Sequence, residues 1–300
     1  GLEQHWKRAY VEASLSFNAK RFVNPPRVRV KPHNVSAFTL KFPAGTFSSL
    51  GQSLDGVRIG QTTSRVYGAN DFECDVVPFT DGSAEIQAHR DQNGVWKQGP
   101  PESGLRKVHG LQGPIDDAFE TPFLCVRGTG TPWHPAVGDW ADANLKRFAD
   151  EWRRHYRGDL PIKNDTEVTE EDLRRCNLIL FGDPGSNRWI KETLPGMPVK
   201  WTREEIQVGT ERHGAVDHGL QMICPNRLPG AGDRYVVFNS GHTYHDSELR
   251  FSYMVFPRLG DWAITKVGEN PEDSTEFTVD ETVLQSGFLD EAWTVPPALN

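Results

Sequence analysis

Hydrophobic and polar residues alternate in short runs through the first hundred positions of the chain. Residues 28–31 and 35–42 alternate one by one, and turn-forming stretches such as residues 43–45 separate these runs. Alternation with a period of two is typical of a strand that buries one face. Many short strands divided by turns predict an antiparallel β-sandwich over residues 1–105. Trp96 follows a turn, and we expect it to cover the sandwich core rather than to stack a sugar.

The pattern changes at about residue 106. Residues 122–126, 177–181 and 234–238 are short apolar runs, which indicate buried strands. Between the first two runs, apolar residues recur every three or four positions over 140–156, which predicts an amphipathic helix. Strands that alternate with helices predict a Rossmann- or flavodoxin-like three-layer α/β domain with a parallel sheet over residues 106–268. The fold class is therefore α/β plus all-β, and we expect residues 269–300 to be a tail that packs back.

The most informative run, residues 177–181, ends in a loop rich in glycine and then opens a helix. If its neighbour in the sheet is the strand that ends at residue 126, two loops face each other across a crevice at the carboxyl ends of the strands. Free helical N–H groups there suit an anion or a polar group. The same residues are also ordinary turn and N-cap residues, so the loops need no ligand. The candidate ligand-binding residues are Gly128, Thr129, Gly182, Asp183, Ser186 and Asn187.

A serine and two histidines follow the run at 234–238. Ser240 at the end of a strand, with His242 close by, invites interpretation as a nucleophile and its base, and Ser186 is a further weak candidate. However, a nucleophile elbow requires G-x-S-x-G, and Asn239 precedes Ser240. His242, His245 and Asp246 could join residues of the preceding loop in a metal site, namely His213, Asp217 and His218. Their spacing matches no zinc pattern, so we expect no metal.

The amino-acid composition and the absence of certain motifs exclude several classes of protein. The 300 residues are 37% hydrophobic and 25% charged with a net charge of −8, which is typical of a soluble globular chain. Basic residues are scattered, so nucleic acid is not an expected partner. The sequence has no membrane-length apolar run and no dinucleotide or Walker A motif, so we expect neither a membrane nor a nucleotide cofactor. The four cysteines lie far apart, and we interpret them as small buried hydrophobic residues.

Four segments carry a family resemblance: residues 107–119 (KVHGLQGPIDDAF), 177–187 (NLILFGDPGSN), 234–243 (RYVVFNSGHT) and 257–263 (PRLGDWA). They resemble the carboxyl-terminal region of large bacterial proteins identified as prolyl-oligopeptidase-family serine hydrolases. Residues 2–6 and 287–293 also resemble that region, so the match runs nearly end to end. In the family, an α/β-hydrolase domain precedes this region and supplies the G-x-S-x-G serine. This chain has no such motif, so no catalytic residue of the family transfers to it.

Two functional hypotheses follow. In the first, which we prefer, the chain is a non-catalytic accessory portion of a serine hydrolase that acts on peptides or esters, and its partner is the upstream α/β-hydrolase domain of the same protein. In the second, the α/β region has its own hydrolase or small-ligand site in the crevice. Carbohydrate binding by the sandwich is a third alternative, which requires an exposed aromatic platform. The compartment stays open, with export of the parent protein as one alternative.

Overall fold

The computed structural model describes residues 2–3, 7–16, 26–47, 63–67, 71–91, 93–101, 104–244, 257–267 and 283–296. The chain divides into two compact units, Gly1–Leu105 and Arg106–Asn300. Among the described residues, the strand content of 37% is about twice the helix content of 18%.

The described residues of the first unit form two antiparallel sheets. Four strands form the first sheet in the order β1-β2-β5-β4, and three form the second in the order β3-β6-β7. Buried residues of both sheets belong to one hydrophobic cluster, with Trp96 fully buried among them. The expectation that Trp96 covers the core is therefore confirmed. The strands are β1 (Tyr10–Ser16), β2 (Arg27–His33), β3 (Ala37–Phe42), β4 (Thr63–Tyr67), β5 (Asp71–Asp75), β6 (Ala84–Arg90) and β7 (Trp96–Gln98).

The second unit is built on a seven-stranded mixed sheet with the order β17-β16-β14-β15-β10-β8-β9. A separate antiparallel sheet has the order β11-β12-β13. Helix α1 packs across strands β8, β10 and β14. The elements are β8 (Phe123–Arg127), α1 (Pro135–Tyr156), β9 (Ile162–Asn164), α2 (Glu170–Arg175), β10 (Asn177–Phe181), α3 (Arg188–Thr193), β11 (Val199–Trp201), β12 (Glu205–Val208), β13 (Glu211–Gly214), β14 (His218–Pro225), β15 (Tyr235–Phe238), β16 (Trp262–Lys266) and β17 (Val283–Gly287).

The prediction of a Rossmann- or flavodoxin-like three-layer domain is wrong. Strands β9, β8, β10 and β15 are parallel, but β14, β16 and β17 complete the sheet with antiparallel pairing. The connection from β14 to β15, residues 226–234, is shorter than the roughly twelve residues that a parallel crossover needs. Strands β14 and β15 are consecutive antiparallel neighbours, as are β16 and β17, while β16 pairs with the other side of β14. This antiparallel pairing differs from the parallel strands that strand–helix–strand repeats would give.

Several local predictions are confirmed. The run at residues 177–181 is the buried strand β10, and helix α1 ends at Tyr156. The structure also shows that helix α2 begins with a capping box, in which Thr169 and Asp172 satisfy each other's backbone N–H groups. Of the four cysteines expected to be buried, Cys74, Cys125 and Cys224 are free and buried, whereas Cys176 is free but only half-buried.

A buried ion pair fixes the end of the described chain to the sheet. The Nζ atom of Lys107 lies 2.5 Å from Oδ2 of Asp261, and the two side chains are 3% and 0% exposed. The same carboxylate accepts a hydrogen bond of 2.8 Å from the Leu289 N–H. Lys107 also lies 4.9 Å from the ring centre of Trp293, which is fully buried. Residues that follow β17 are thus held by both members of the ion pair.

Candidate functional site

The loops that follow β8 and β10 lie side by side, because these strands are parallel neighbours paired at all five positions. The Gly128 N–H donates to the carbonyl of Phe181 over 3.1 Å, and the Gly130 N–H donates to that of Ser186 over 2.8 Å. This adjacency is the condition that the crevice hypothesis required.

The two loops touch through their backbones. A Cβ atom on Gly128 would lie 2.7 Å from the carbonyl oxygen of Ser186, and one on Gly130 would lie 2.7 Å from that of Gly185. Real Cβ atoms do not approach backbone so closely, so these positions require glycine for packing. The need for glycine here is explained by contact between the loops, without a ligand.

Replacing Gly130 by alanine tests this explanation. Because the new methyl group meets two backbone carbonyls, we expect the free energy of unfolding to fall by about 1–3 kcal/mol. Gly158 is the matched control, since a Cβ there meets nothing within 4 Å. Urea unfolding of both variants measures the difference. Equal stability of the two would show that the loops are not in close contact.

Asp183 organises the second loop from within. Its Oδ1 accepts hydrogen bonds from the N–H groups of Gly185 (3.0 Å) and Ser186 (2.8 Å) and from the Ser186 hydroxyl (2.9 Å). Its Oδ2 accepts from the Trp133 N–H over 2.6 Å. Both carboxylate oxygens and the Ser186 hydroxyl are therefore engaged inside the protein.

Asn187 joins the loop to both strands. Its amide donates to the carbonyls of Val126 (3.1 Å) and Phe181 (3.0 Å). Its side-chain oxygen accepts from the Trp189 N–H over 3.0 Å and so caps helix α3. Asn187 is thus an N-cap and a bridge between strands.

The last two candidate ligand-binding residues, Thr129 and Gly182, also have polar contacts inside the protein. The Thr129 hydroxyl donates to Asp165 over 2.7 Å, and the same carboxylate accepts from the Arg188 N–H over 3.0 Å. The Gly182 N–H donates to the side chain of Asn239 over 2.8 Å. The structure thus brings all six predicted ligand-binding residues together, and each has a structural role. That they bind a ligand stays a prediction.

Ser240 lies in the loop after β15. It is buried, and its hydroxyl donates to the carbonyl of Gly241 over 2.9 Å. Asn239 precedes it with a φ of 49°, and this left-handed turn is held by hydrogen bonds from the Asn239 amide to Gly182 and Leu220. A Cβ on Gly241 would lie 2.5 Å from the ring of Phe148, so this loop runs close against helix α1.

His242 is buried against the same helix. Its Nε2 lies 3.2 Å from Oε2 of Glu151, and its ring meets that of Phe148 edge-on at 5.1 Å. Arg147 donates to both oxygens of the Glu151 carboxylate over 3.1 Å. Glu151 therefore lies between a guanidinium and an imidazole.

A second carboxylate lies within electrostatic reach of His242. Asp116 is buried, and it accepts hydrogen bonds from the backbone N–H of Thr243, over 2.7 Å, and from the Thr243 hydroxyl. It belongs to the 3-10 turn Ile115–Phe119. Asp116 thus attaches this turn to the loop that carries His242.

The two carboxyl groups have pKa values displaced in opposite directions. Burial favours a raised pKa for Glu151. The contact with His242 and the charge of Arg147 together have a larger, opposite effect, so the pKa of Glu151 lies below its ordinary value. Burial raises the pKa of Asp116, and the hydrogen bonds from Thr243 compensate only in part. Relative to an exposed carboxyl group, protonation is thus favoured at Asp116 and disfavoured at Glu151.

Glu151 was missed by the sequence analysis, although a signal was present. It lies three residues after Phe148, on the stripe of helix α1 that faces the core. A charged residue on an apolar stripe is rarely buried without a partner, so its position indicates a buried polar contact. Asp116 gave no such signal, because the segment around it has no regular periodicity.

Glu151→Gln should weaken the dependence of stability on acid. The pKa of Glu151 in the folded protein lies below its ordinary value of 4.5, so the ionised group stabilises the fold above that pH. That stabilisation is lost as the pH falls through the folded-state pKa. We expect the variant to be less stable near pH 6 and to lose less stability between about pH 5 and pH 3.

Thermal unfolding across this pH range provides the measurement. Glu192→Gln is the control, because the Glu192 carboxylate is about half exposed beside Arg188. Parallel curves for Glu151→Gln and the unmodified chain would contradict the lowered pKa of Glu151.

Three of the residues considered for a metal site lie close to one another. The rings of His213 and His218 lie 5.3 Å apart, and His218 contacts Asp217 at 2.7 Å. His245 and Asp246 fall outside the described residues. Within the described part of the chain, no group of three or more histidine, cysteine or acidic side chains could hold a metal ion.

Comparison with known proteins gives no relative. No protein-family model, curated protein or solved structure matches this chain. Among the described residues, no helix is long and apolar enough to cross a membrane. Functional inference for this chain therefore depends on its own residues and on the resemblance of its segments.

Proposed function

We propose that this chain is a non-catalytic accessory portion of a larger serine hydrolase, one that acts on peptides or esters through an upstream α/β-hydrolase domain. The observation that carries the proposal is the state of the two candidate nucleophiles. The hydroxyls of Ser186 and Ser240 are buried, and each donates within its own loop. A nucleophilic serine instead needs its hydroxyl beside a base and open to substrate.

The segments that resemble the hydrolase family support a structural role. Lys107 in the first segment pairs with Asp261 in the fourth. Asp116, also in the first, holds Thr243 in the third. In each case a charged side chain of one segment contacts another segment inside the second unit. The chemistry of these residues is thus accounted for by the contacts that hold the unit together.

A further contact of this kind links the first and third segments. The hydroxyl of Tyr235 donates to the carboxylate of Asp117, and it accepts a hydrogen bond of 3.2 Å from the Gly113 N–H. With Asp183 bonded inside the second segment, all four segments contribute buried polar groups to the fold. We infer that they shape a surface for the upstream domain, which would supply the reacting serine.

The alternative is a hydrolase or small-ligand site of the chain's own. One observation favours it: His242 lies 3.2 Å from the Glu151 carboxylate and interacts electrostatically with that of Asp116, and the pKa values of these two carboxyl groups are shifted in opposite directions. Such separation is common at catalytic sites, although structural ion pairs also produce it. In this alternative Asp116 or His242 would exchange protons with a bound substrate.

Turnover of chromogenic esters and aminoacyl substrates by the purified 300-residue chain distinguishes the two functions. The accessory function predicts no turnover by the chain and turnover by a longer protein that includes the upstream domain. Turnover by the chain alone, abolished in Ser240→Ala or His242→Gln but retained in Ser83→Ala, would overturn it. Ser83 lies in the first unit and serves as a matched surface control. Circular dichroism of each variant confirms folding.

A further inference from the structure

Strand β1 is the outermost strand of its sheet among the described residues. It pairs with β2 at all seven positions from Tyr10 to Ser16, and every one of these residues is exposed. The N–H and C=O groups on the other side of an outermost strand can pair with a further strand.

The side chains of β1 have a polar face and an apolar face. Val11, Ala13 and Leu15 stand opposite three buried residues of β2, namely Pro32, Val30 and Val28. Residues directly opposite in a sheet share a face, so these three lie on the core side. Val11 and Leu15 are nevertheless each 40% exposed. The apolar face of the sheet therefore continues beyond the part that the described residues cover.

We propose that β1 pairs with β1 of a second copy of this chain, antiparallel and about a twofold axis through Ala13. Ala13 is the midpoint of the strand, so only this register aligns all seven residues with their counterparts. It places Val11 opposite Leu15 of the second copy and Ala13 opposite itself. The two apolar faces then form one stripe across a continuous sheet, an interface that uses the same patch twice.

The position of the charged residue in β1 is compatible with this register. Glu12 is the one charged residue of β1, and it stands opposite Ser14 of the second copy. A shift to a twofold axis through Glu12 would place two carboxylates opposite each other, which is destabilising. The strand thus complements itself in the register that gives the longest pairing.

Complementary charges test the surface. The unmodified chain should have twice its 33.7 kDa mass by light scattering at micromolar concentration. Val11→Lys and Leu15→Glu should each give monomers, since each buries an unpaired charge. An equimolar mixture of the two variants should recover dimers, because the ammonium introduced by Val11→Lys in one copy faces the carboxylate introduced by Leu15→Glu in the other. A monomeric unmodified chain, or a mixture that stays monomeric, overturns the proposal.

Cross-linking tests the register. In Ala13→Cys the two sulfurs would stand opposite each other, with Cα atoms about 4.5–5.5 Å apart, so mild oxidation should give a covalent dimer. In Ser16→Cys the two copies of residue 16 would be about 20 Å apart, so little cross-linking is expected. Equal cross-linking of both variants would refute the register. A monomer whose cysteine 13 resists maleimide would show that the chain itself covers β1, and would also overturn the proposal.

Discussion

Replacing Lys107 by alanine should lower the free energy of unfolding of the second unit by about 3–5 kcal/mol. The substitution leaves the Asp261 carboxylate buried without the ammonium that lies 2.5 Å away. Water cannot replace this partner easily, because both side chains are almost fully enclosed. The ring of Trp293 also loses the cation that lies over it.

Urea unfolding followed by tryptophan fluorescence measures this effect. Of the nine tryptophans, only Trp6 and Trp96 precede residue 106, so the signal reports mainly the second unit. Lys146→Ala is the matched control, since that lysine is 82% exposed and lies 3.6 Å from Asp150. Its loss should cost less than about 1 kcal/mol. Similar losses for the two lysines would show that Lys107 does not hold the end of the chain.

Replacing Asp183 by alanine should cost a similar amount, about 3–5 kcal/mol. The N–H groups of Trp133 and Gly185 would lose this acceptor, and the Ser186 N–H and hydroxyl would keep only the main-chain carbonyl of Asp183. Each buried donor left without a partner costs about 1–3 kcal/mol before the loop relaxes. Asp183→Asn should cost less, because one amide oxygen can still accept from Gly185 and Ser186.

Asp290 provides the control for Asp183. It also accepts from two backbone N–H groups and a hydroxyl, those of Ala292 and Thr294, but it lies near the surface where water can take its place. Asp290→Ala should therefore cost about 1 kcal/mol. If Asp183→Ala is no more destabilising than this control, the conformation of the loop after β10 does not depend on the Asp183 carboxylate. The polar groups of the loop would then be candidates for ligand contacts again.

The sequence predicted the elements of the second unit better than their arrangement. The run at 177–181 predicted a buried strand, because a short, mainly apolar run bounded by turns has few alternatives. All five of its residues are buried in the structure. The direction of β14 relative to its neighbours in the sheet could not be predicted in this way. An apolar run has the same composition whichever way the strand runs, and only the short connection at residues 226–234 indicated a hairpin.

The sequence identified individual residues of the candidate site, but it did not identify the residues that they contact. Glycines 128 and 182 and Asn187 mark loops at strand ends, so their proximity followed once β8 and β10 were neighbours. The contacts of Lys107 with Asp261 and of Asp116 with Thr243 join positions more than a hundred residues apart. No local pattern encodes such pairs, since each depends on how the whole sheet closes.

Fluorophosphonate labelling of the native chain, with mass mapping of the labelled peptide, tests most directly whether Ser186 and Ser240 are unreactive, as the accessory function requires. We expect no label on Ser186 or Ser240, and a label on the G-x-S-x-G serine of a longer protein that includes the upstream domain. A label on Ser240 that disappears in Ser240→Ala, in folded protein, would contradict the accessory function and place a complete active site in this chain.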